Sequence, residues 1–362
     1  MTTRKKSSRA TIADVARKAE VAIGTVSRVF NNHPDVNEDI RNRVNDAVNE
    51  LGYVRLRNRK RPRESNDRRV GNIGLVFFGM EDTLVQLPIV SSAVHGIERS
   101  LASQGYNLML ANIPNGDRTP HFISDQHIEG LILKGPNQGV LPSEAKRSLL
   151  SRFYSIPYVW LMGRLPNAVG DHCNYDTEEA GRLVAEHLNE KGHRRTAFLN
   201  PKPGQIQFER MKASFSQHSA RLGHETSTLE VDPPSSIEWP LPSITLQNNV
   251  DVLVERWMQL PKAKRPTALF VPSDRTAVQA YAAFAQRNLK VGEDVSIISC
   301  NNEKPLLANM NPTLTTIDVH AEVIGQRAVD QLIWRISNPN QKCHFQNLVE
   351  PTLVPGNSVK QL

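Results

Sequence analysis

Residues Thr11–Phe30 read TIADVARKAEVAIGTVSRVF, and the rest of the chain is organised around them. Ile12, Val15, Ala16 and Ala19 recur at i, i+3, i+4 and i+7, which is one apolar face of a helix. Thr11 stands where it can cap that helix, and Asp14, three residues on, can reach back in a capping box. A second short helix follows with Val26, Val29 and Phe30 as its apolar positions. Gly24, Thr25, Ser27 and Arg28 are then left to face outward. Two short helices with a polar outer face, set in a basic segment, fit a helix-turn-helix whose second helix enters the major groove of DNA. A plain helical hairpin that packs on another element is the competing reading.

Charge favours the first of these. The 362 residues carry a net charge of +7, and it is unevenly placed. Residues 1–69 hold 17 Lys/Arg against 9 Asp/Glu, whereas the remaining 293 hold 27 against 28. A positive field confined to one end, attached to a neutral body, is the footprint of a nucleic-acid-binding module. The length suits two or three domains with a sizeable core. Cys173, Cys300 and Cys343 are scattered without metal-ligand spacing, which fits a reducing compartment better than a disulfide framework. The start, MTTRKKSSRA, is basic without an apolar stretch and is not expected to be a signal peptide. No apolar run is long enough to span a bilayer. The expectation is a soluble, cytoplasmic, nucleoid-associated protein.

Further along, Val36, Ile40, Val44, Ala47, Val48 and Leu51 keep helical spacing and predict a third helix from about Asn37 to Leu51, with Gly52 as its stop. Arg41 and Arg43 on it are candidates for phosphate contact. Residues 54–70, VRLRNRKRPRESNDRRV, are almost devoid of apolar side chains. Arg55, Arg57 and Arg59 open that run, which reads as a solvated linker or as a phosphate-neutralising segment whose binding would fall steeply with salt. From Val70 the pattern changes to strands alternating with helices: VGNIGLVFF, NLMLA, GLIL, YVWLM, TAFLN, ALFV, VSIIS and LTTI are short apolar runs, with helices marked by residues such as Val94, Ile97 and Leu101, or Ala180, Leu183, Val184 and Leu188. Repeated βα units predict parallel sheets covered by helices, and there are too many for one small sheet, so two α/β subdomains are expected.

Ligands of such sheets bind beyond the carboxyl ends of the strands. Asn200, Ser273 with Asp274, and Asn301 with Asn302 all fall there. Each singly reads as a helix cap; as a set they read as the polar lining of a cleft. Enzyme signals are weak. There is no GxSxG, no phosphate-binding P-loop and no Rossmann glycine fingerprint. His187 and His193 have no evident carboxylate partner. No catalytic residue, metal or cofactor is expected.

These pieces resemble a family. TIADVARKAEVAIGTVSRVFNN followed by RNRVNDAVNELGY is similar to the DNA-binding head of the LacI/GalR family of bacterial transcription regulators. NIGLVFF, GIERSLASQGY, IEGLIL, GHRRTAFL, PTALFVPSD, VGEDVSIIS and NPTLTTI resemble further family landmarks in the right order, over about residues 10–356. The resemblance implies an all-α helix-turn-helix head and an α/β core of two Rossmann-like subdomains of periplasmic-binding-protein type. It implies a basic disordered arm at 1–9, the head at 10–53, a basic hinge or linker at 54–69 and an effector-binding and dimerisation core at 70–362. Within the core, the N-subdomain is expected at about 70–163 and 302–320, and the C-subdomain at about 164–301 and 321–360. Double-stranded operator DNA and a small polar effector (a sugar, sugar acid or similar) are the implied partners. A homodimer is implied, with a tetramer left open. The function implied is sequence-specific regulation, most simply repression. The rivals are a solute-binding protein or an enzyme on the same α/β core.

Carried over residue by residue, Arg28 should reach a base edge or adjacent phosphate. Thr11, Thr25, Ser27 and Asn31 look like phosphate and groove contacts. Ile23 and Gly24 stand at the two positions that usually choose operator bases, and neither has a polar side chain; Ile23 offers only apolar contact, such as to a thymine methyl. Ala22 replaces the usual capping Ser, a loss of about 1 kcal/mol. The hinge departs most, with Pro62 near the expected minor-groove Leu. Either Leu56 takes that role, or no hinge helix forms and Arg55, Arg57 and Arg59 grip phosphate, which is the preferred reading. In the cleft, Arg210 matches the family's effector-binding arginine. Ser273-Asp274 and Asn301-Asn302 match its Asn-Asp and Asp-Asp pairs. Trp239 either stacks on an effector ring or belongs to the core. The loss of both carboxylates at Asn301-Asn302 favours an acidic or phosphorylated effector over a neutral sugar.

Overall fold

The capping box read from Thr11 and Asp14 is present in the computed structural model. That structure describes residues 11–30, 36–51, 53, 71–78, 88–113, 120–124, 128–136, 149–166, 168–233 and 249–362. The Thr11 hydroxyl accepts from the Asp14 N–H at 3.3 Å, and the Asp14 carboxylate accepts from the Thr11 N–H at 2.9 Å. They start α1 (Ile12–Lys18), followed by α2 (Ile23–Phe30) and α3 (Glu38–Leu51). Val15, Ala16 and Ala19 meet Val26, Val29, Val44 and Ala47 in a small core, over which Phe30 stacks on Tyr53 with ring centroids 5.9 Å apart. Arg43 donates to the Ala19 carbonyl at 2.7 Å, so it ties α3 to the end of α1. The α1–α2 turn needs that support, because Glu20 there holds a left-handed φ of 53°. These helices belong to one compact unit that ends at Arg68; a second begins at Arg69.

The second unit contains two six-stranded sheets. The first half of the chain within it runs β1 (Gly71–Phe78), α4 (Pro88–Ser103), β2 (Tyr106–Ile113), α5 (His121–Ser124), β3 (Gly130–Lys134), α6 (Leu149–Phe153), β4 (Tyr158–Leu161) and β5 (Asp171–Tyr175). Next come α7 (Thr177–Glu190), β6 (Arg195–Asn200), α8 (Ile206–Arg221), β7 (Glu225–Glu230), α9 (Asn249–Gln259), β8 (Ala268–Phe270), α10 (Asp274–Ala285), β9 (Ser296–Asn301), α11 (Lys304–Leu307) and β10 (Thr315–Asp318). The chain ends with α12 (Ala321–Ser337), β11 (Gln346–Val349) and β12 (Thr352–Val354). The first sheet has the order β11-β5-β4-β3-β1-β2 and is parallel throughout. The second has the order β12-β10-β9-β8-β6-β7, with only β12 antiparallel. Parallel strands must be covered on both faces, and α4 and α12 cover one face of the first sheet together. They approach so closely that a Cβ on Gly96 would lie 2.0 Å from the Glu322 carbonyl oxygen, and one on Gly325 2.0 Å from that of Ala93. Glycine is required at both positions by backbone contact.

Two α/β subdomains are therefore present, as expected, but their boundaries differ from the sequence reading. The expected N-subdomain, 70–163 with 302–320, lacks β5, which pairs with β4 in the first sheet, and wrongly includes β10, which pairs with β9 in the second. The expected C-subdomain, 164–301 with 321–360, wrongly includes α12 and β11, which build the first subdomain. The chain crosses between sheets at residues 176, 319–320 and 350–351. The expected division at 163/164 falls in the connection from β4 to β5, which stays within the first sheet. The true crossings are two residues or fewer and carry no turn cluster to announce them.

Candidate nucleic-acid interface and effector cleft

In the head, burial of Val26 and Val29 fixes which side of α2 faces away from the protein. Ile23, Gly24 and Arg28 are exposed on that outer side, with Thr25 and Ser27 half-buried. Arg28 bonds to no other described residue, so its guanidinium is available. Thr11 is different: its hydroxyl donates to the Asp14 carboxylate at 2.6 Å while accepting from the Asp14 N–H. That makes it first a cap, whereas the sequence reading made it a DNA contact. The hydroxyl of Thr11, then the Thr11 N–H, hold the Asp14 carboxyl below its ordinary range. Ala22 caps α2 through its backbone alone, its carbonyl accepting from Thr25 and Val26 at 2.9 and 3.2 Å. Asn31, Arg55, Arg57 and Arg59, and with them the hinge and the arm, lie outside the described residues.

In the core, the strand ends do gather polar residues, but their partners are mostly internal. The Ser273 hydroxyl accepts from the Thr276 N–H at 3.3 Å and caps α10. Asp274 is fully buried and accepts from the Ser299 hydroxyl, from the Thr316 hydroxyl at 2.7 Å and from the Glu303 N–H at 2.6 Å. It binds α10, β9 and β10 together. Burial pushes its carboxyl up to about 6 against the pull of those three donors. Ser273 and Asp274, expected to line the cleft, are thus a helix cap and a buried tie. Asn301 ends β9 with φ 118° and lies 3.5 Å from a Glu303 oxygen through its amide; Asn302, at φ 54°, donates to Asp318 at 2.8 Å.

Several hydrogen bonds join the subdomains, among them one from the Tyr175 hydroxyl to the Met211 sulfur at 3.9 Å. Glu303, only 6% exposed, accepts at 3.0 Å from the Ile89 N–H in the first turn of α4. A carboxylate there faces the positive end of the helix. Gln207, in the first turn of α8, donates to the Met162 carbonyl at 3.2 Å and accepts from the Asn174 amide at 3.2 Å. Neither Glu303 nor Gln207 was singled out from the sequence. Glu303 follows the end of β9 at Asn301 by two residues, and that spacing is its only signal in the sequence.

Arg210 lies one turn beyond Gln207, exposed and bonded to no described residue. It lines a depression of about 430 Å³ with Tyr175, Asp176, Ser214, Gln346 and Leu348. Burial, then the charges of Arg164 and Arg210, push the nearby His172 imidazole down to about 4, so it is neutral. Arg164 donates to His172 Nδ1 at 3.4 Å. Ser273, Asp274 and Asn301 do not line this depression, so the structure does not bring all the expected effector residues together. Trp239 lies outside the described residues. Among the described residues no cluster of His, Cys, Asp or Glu is arranged to hold a metal, and no helix is long and apolar enough to cross a membrane.

Residues 11–55 match the profile of bacterial regulatory proteins of the lacI family, and residues 185–359 that of a periplasmic binding protein-like domain. The chain is 28% identical over 356 residues to an HTH-type transcriptional repressor, PurR, of Aliivibrio fischeri strain MJ11, covering 97% of this chain and 98% of that protein. The chain belongs to the LacI family. The fold agrees across the whole family architecture. A transcriptional regulator, CelR, solved in complex with cellobiose superposes with a TM-score of 0.63 at 22% identity, over 97% of this chain and 100% of that one. The lac repressor dimer, solved bound to operator and an anti-inducer, gives 0.60 at 22% identity, over 98% and 100%. As a LacI-family member the chain is a DNA-binding transcriptional regulator. Arg28 is on the free side of α2, where a base or phosphate contact requires it.

Proposed function

We propose that the chain is a dimeric repressor that holds operator DNA through α2 and releases or tightens that hold when a small polar effector binds between the two α/β subdomains. The observation that carries this reading is the outer side of α2: Ile23, Gly24 and Arg28 are not used by the head's core, and they face the side on which a recognition helix meets base edges. Thr25, Ser27 and Asn31 add phosphate and groove contacts, and Arg55, Arg57 and Arg59 add charge behind them. In the core, Arg210 and Asn301 are the effector contacts. Arg210 supplies a guanidinium suited to hydroxyl pairs or a carboxylate. A sugar or sugar acid fits this chemistry; CelR, with the same fold, was solved with cellobiose. The Glu303–Ile89 and Gln207–Met162 contacts are the contacts an effector would strengthen or break, since both cross the cleft. The protein acts where the DNA is, in the cytoplasm with the nucleoid, and no reaction is assigned to it.

The test is a panel of sugars, sugar acids and phosphorylated sugars. A true effector raises the thermal midpoint of the core and changes operator affinity by a factor of about 5–150. Arg210→Ala should lose both responses and keep operator binding. A compound that still stabilises Arg210→Ala, or that stabilises the core without altering operator affinity, contradicts the assignment.

A further inference from the structure

Glu303 stands at the N-cap position of α11, yet its side chain makes no cap bond there. It reaches out of its own subdomain instead, and its Oε1 accepts from the Ile89 N–H at 3.0 Å. Ile89 is the second residue of α4, and the first N–H groups of a helix have no acceptor within the helix. The carboxylate therefore closes a bond that α4 cannot close for itself, across the boundary between the subdomains. Glu303 is buried there, and its own N–H donates at 2.6 Å to the buried carboxylate of Asp274. Two acidic groups are thus held out of water within reach of each other's charge, which favours a proton on one of them. The other contacts named across the boundary, Gln207 with Met162 and Asn174, and Tyr175 with Met211, join groups that are neutral near neutral pH. Of these contacts, Glu303 supplies the one whose charge can change.

We propose that Glu303 is a proton-coupled latch: closing the two subdomains takes up a proton on its carboxyl group, so that this regulator responds to pH as well as to its effector. The direction follows from what closure does to the group. With the subdomains apart, Glu303 keeps its water and its ordinary range. Closed against α4 it loses that water, and burial lifts its carboxyl above the ordinary 4.5 against the pull of the Ile89 N–H, the Asn301 amide and the Arg275 charge. The closed form then binds a proton more readily. Acid favours closure, and a rise in pH restores an ionised, hydrated carboxylate and favours opening. Asp274 and Arg275 face the group from α10, and the Cys300 thiol from β9. Asp318 of β10 is held by the Asn302 amide, and Lys304 of α11 is exposed. On α4 the contact is backbone; His95, Glu98 and Arg99 lie further along that helix and are exposed. Asp274 keeps its partners, Ser299, Thr316 and the Glu303 N–H, within the second subdomain, so its proton stays in place when the subdomains part. The effect on DNA rests on the proposed control of operator affinity by closure; the latch itself does not.

Hydrogen exchange of the Ile89 amide in the full-length protein reads the latch directly, because that N–H has no acceptor in its own helix. Corrected for the intrinsic rate at each pH, its protection should rise at least about fivefold, the low end of an allosteric coupling, on going from about pH 8 to about pH 5. Glu303→Gln keeps an oxygen for Ile89 but cannot titrate, so its protection should stay level. Operator affinity, measured on a selected duplex at constant salt, should change with pH differently in parent and variant, again by about fivefold. Titrations within the head are common to both proteins and cancel. Parent protection that ignores pH overturns the proposal, whether or not the variant folds. So does a variant that keeps the parent's pH response. Protection that follows pH in the parent alone, with identical operator profiles, supports the latch and removes the proposed control of operator affinity by closure.

Discussion

Asp274→Asn separates a buried structural carboxylate from an effector contact. The carboxyl is fully buried and its folded-state value is raised to about 6 from an ordinary 3.8. An acid whose value rises on folding binds a proton more readily in the folded state. Its contribution to stability is complete below the unfolded value and is lost as the pH rises through about 6. The shift corresponds to about 3 kcal/mol at its limit, of which about 2 kcal/mol is reached on going from pH 7.5 to 4.5. An asparagine of the same shape cannot titrate. Its oxygen still accepts from Ser299 and Thr316, but its NH₂ opposes the Glu303 N–H, a penalty of about 1–3 kcal/mol at every pH. Urea titrations of parent and Asp274→Asn between pH 7.5 and 4.5 should show the parent gaining about 2 kcal/mol relative to the variant as the pH falls. Any effector response should survive the substitution. Parallel pH profiles would refute the buried-tie reading, as would a variant of parental stability that has lost its effector response.

Three further outcomes follow from particular contacts. Ser273→Ala should lose about 1 kcal/mol through the α10 cap, read by urea denaturation, with effector affinity unchanged. Asp171→Ala should destabilise the core by about 3–5 kcal/mol. It strands the Arg335 guanidinium, whose Nε and Nη2 lie 3.0 and 2.5 Å from the Asp171 oxygens, and the Phe345 N–H at 2.9 Å. Gly96→Ala should cost about 3 kcal/mol or more, read as loss of soluble folded protein, because its Cβ has no room beside the Glu322 carbonyl.

Much of this organisation was legible in the sequence, for physical reasons that vary by element. The α1 capping box and the Val26/Val29 face of α2 depend on neighbours within a turn, and both read correctly. The strands β1 and β9 are continuous apolar runs and read as buried parallel strands. β5, Asp171–Tyr175, is equally buried but carries Asp171, His172 and Asn174. Their partners are remote: Arg335 for Asp171, Gln207 for Asn174. Without those partners the strand lacks an apolar signal, so the sequence puts the first crossing too early. Asp274 failed for a related reason. A polar residue at a strand end has the same local sequence whether it meets a ligand or its own protein, and the groups that decide it lie 25 and 42 residues away, at Ser299 and Thr316. His193 reads as a surface turn residue but is fully buried, bonded to Thr267 at 2.8 Å and to the Lys360 carbonyl at 3.2 Å, both distant in sequence.

The most direct measurement is fluorescence anisotropy of a selected operator and of a scrambled duplex, titrated with the full-length protein at several salt concentrations. Affinity for both duplexes should fall steeply with salt as counterions return to the phosphates. The operator should stay about 10³-fold or more the tighter of the two. Arg28→Ala should narrow that ratio by about 1–3 kcal/mol per half-site. Equal affinity for operator and scrambled duplex at every salt concentration would contradict a sequence-specific regulator. A ratio that Arg28→Ala leaves unchanged would contradict the placement of base reading on α2.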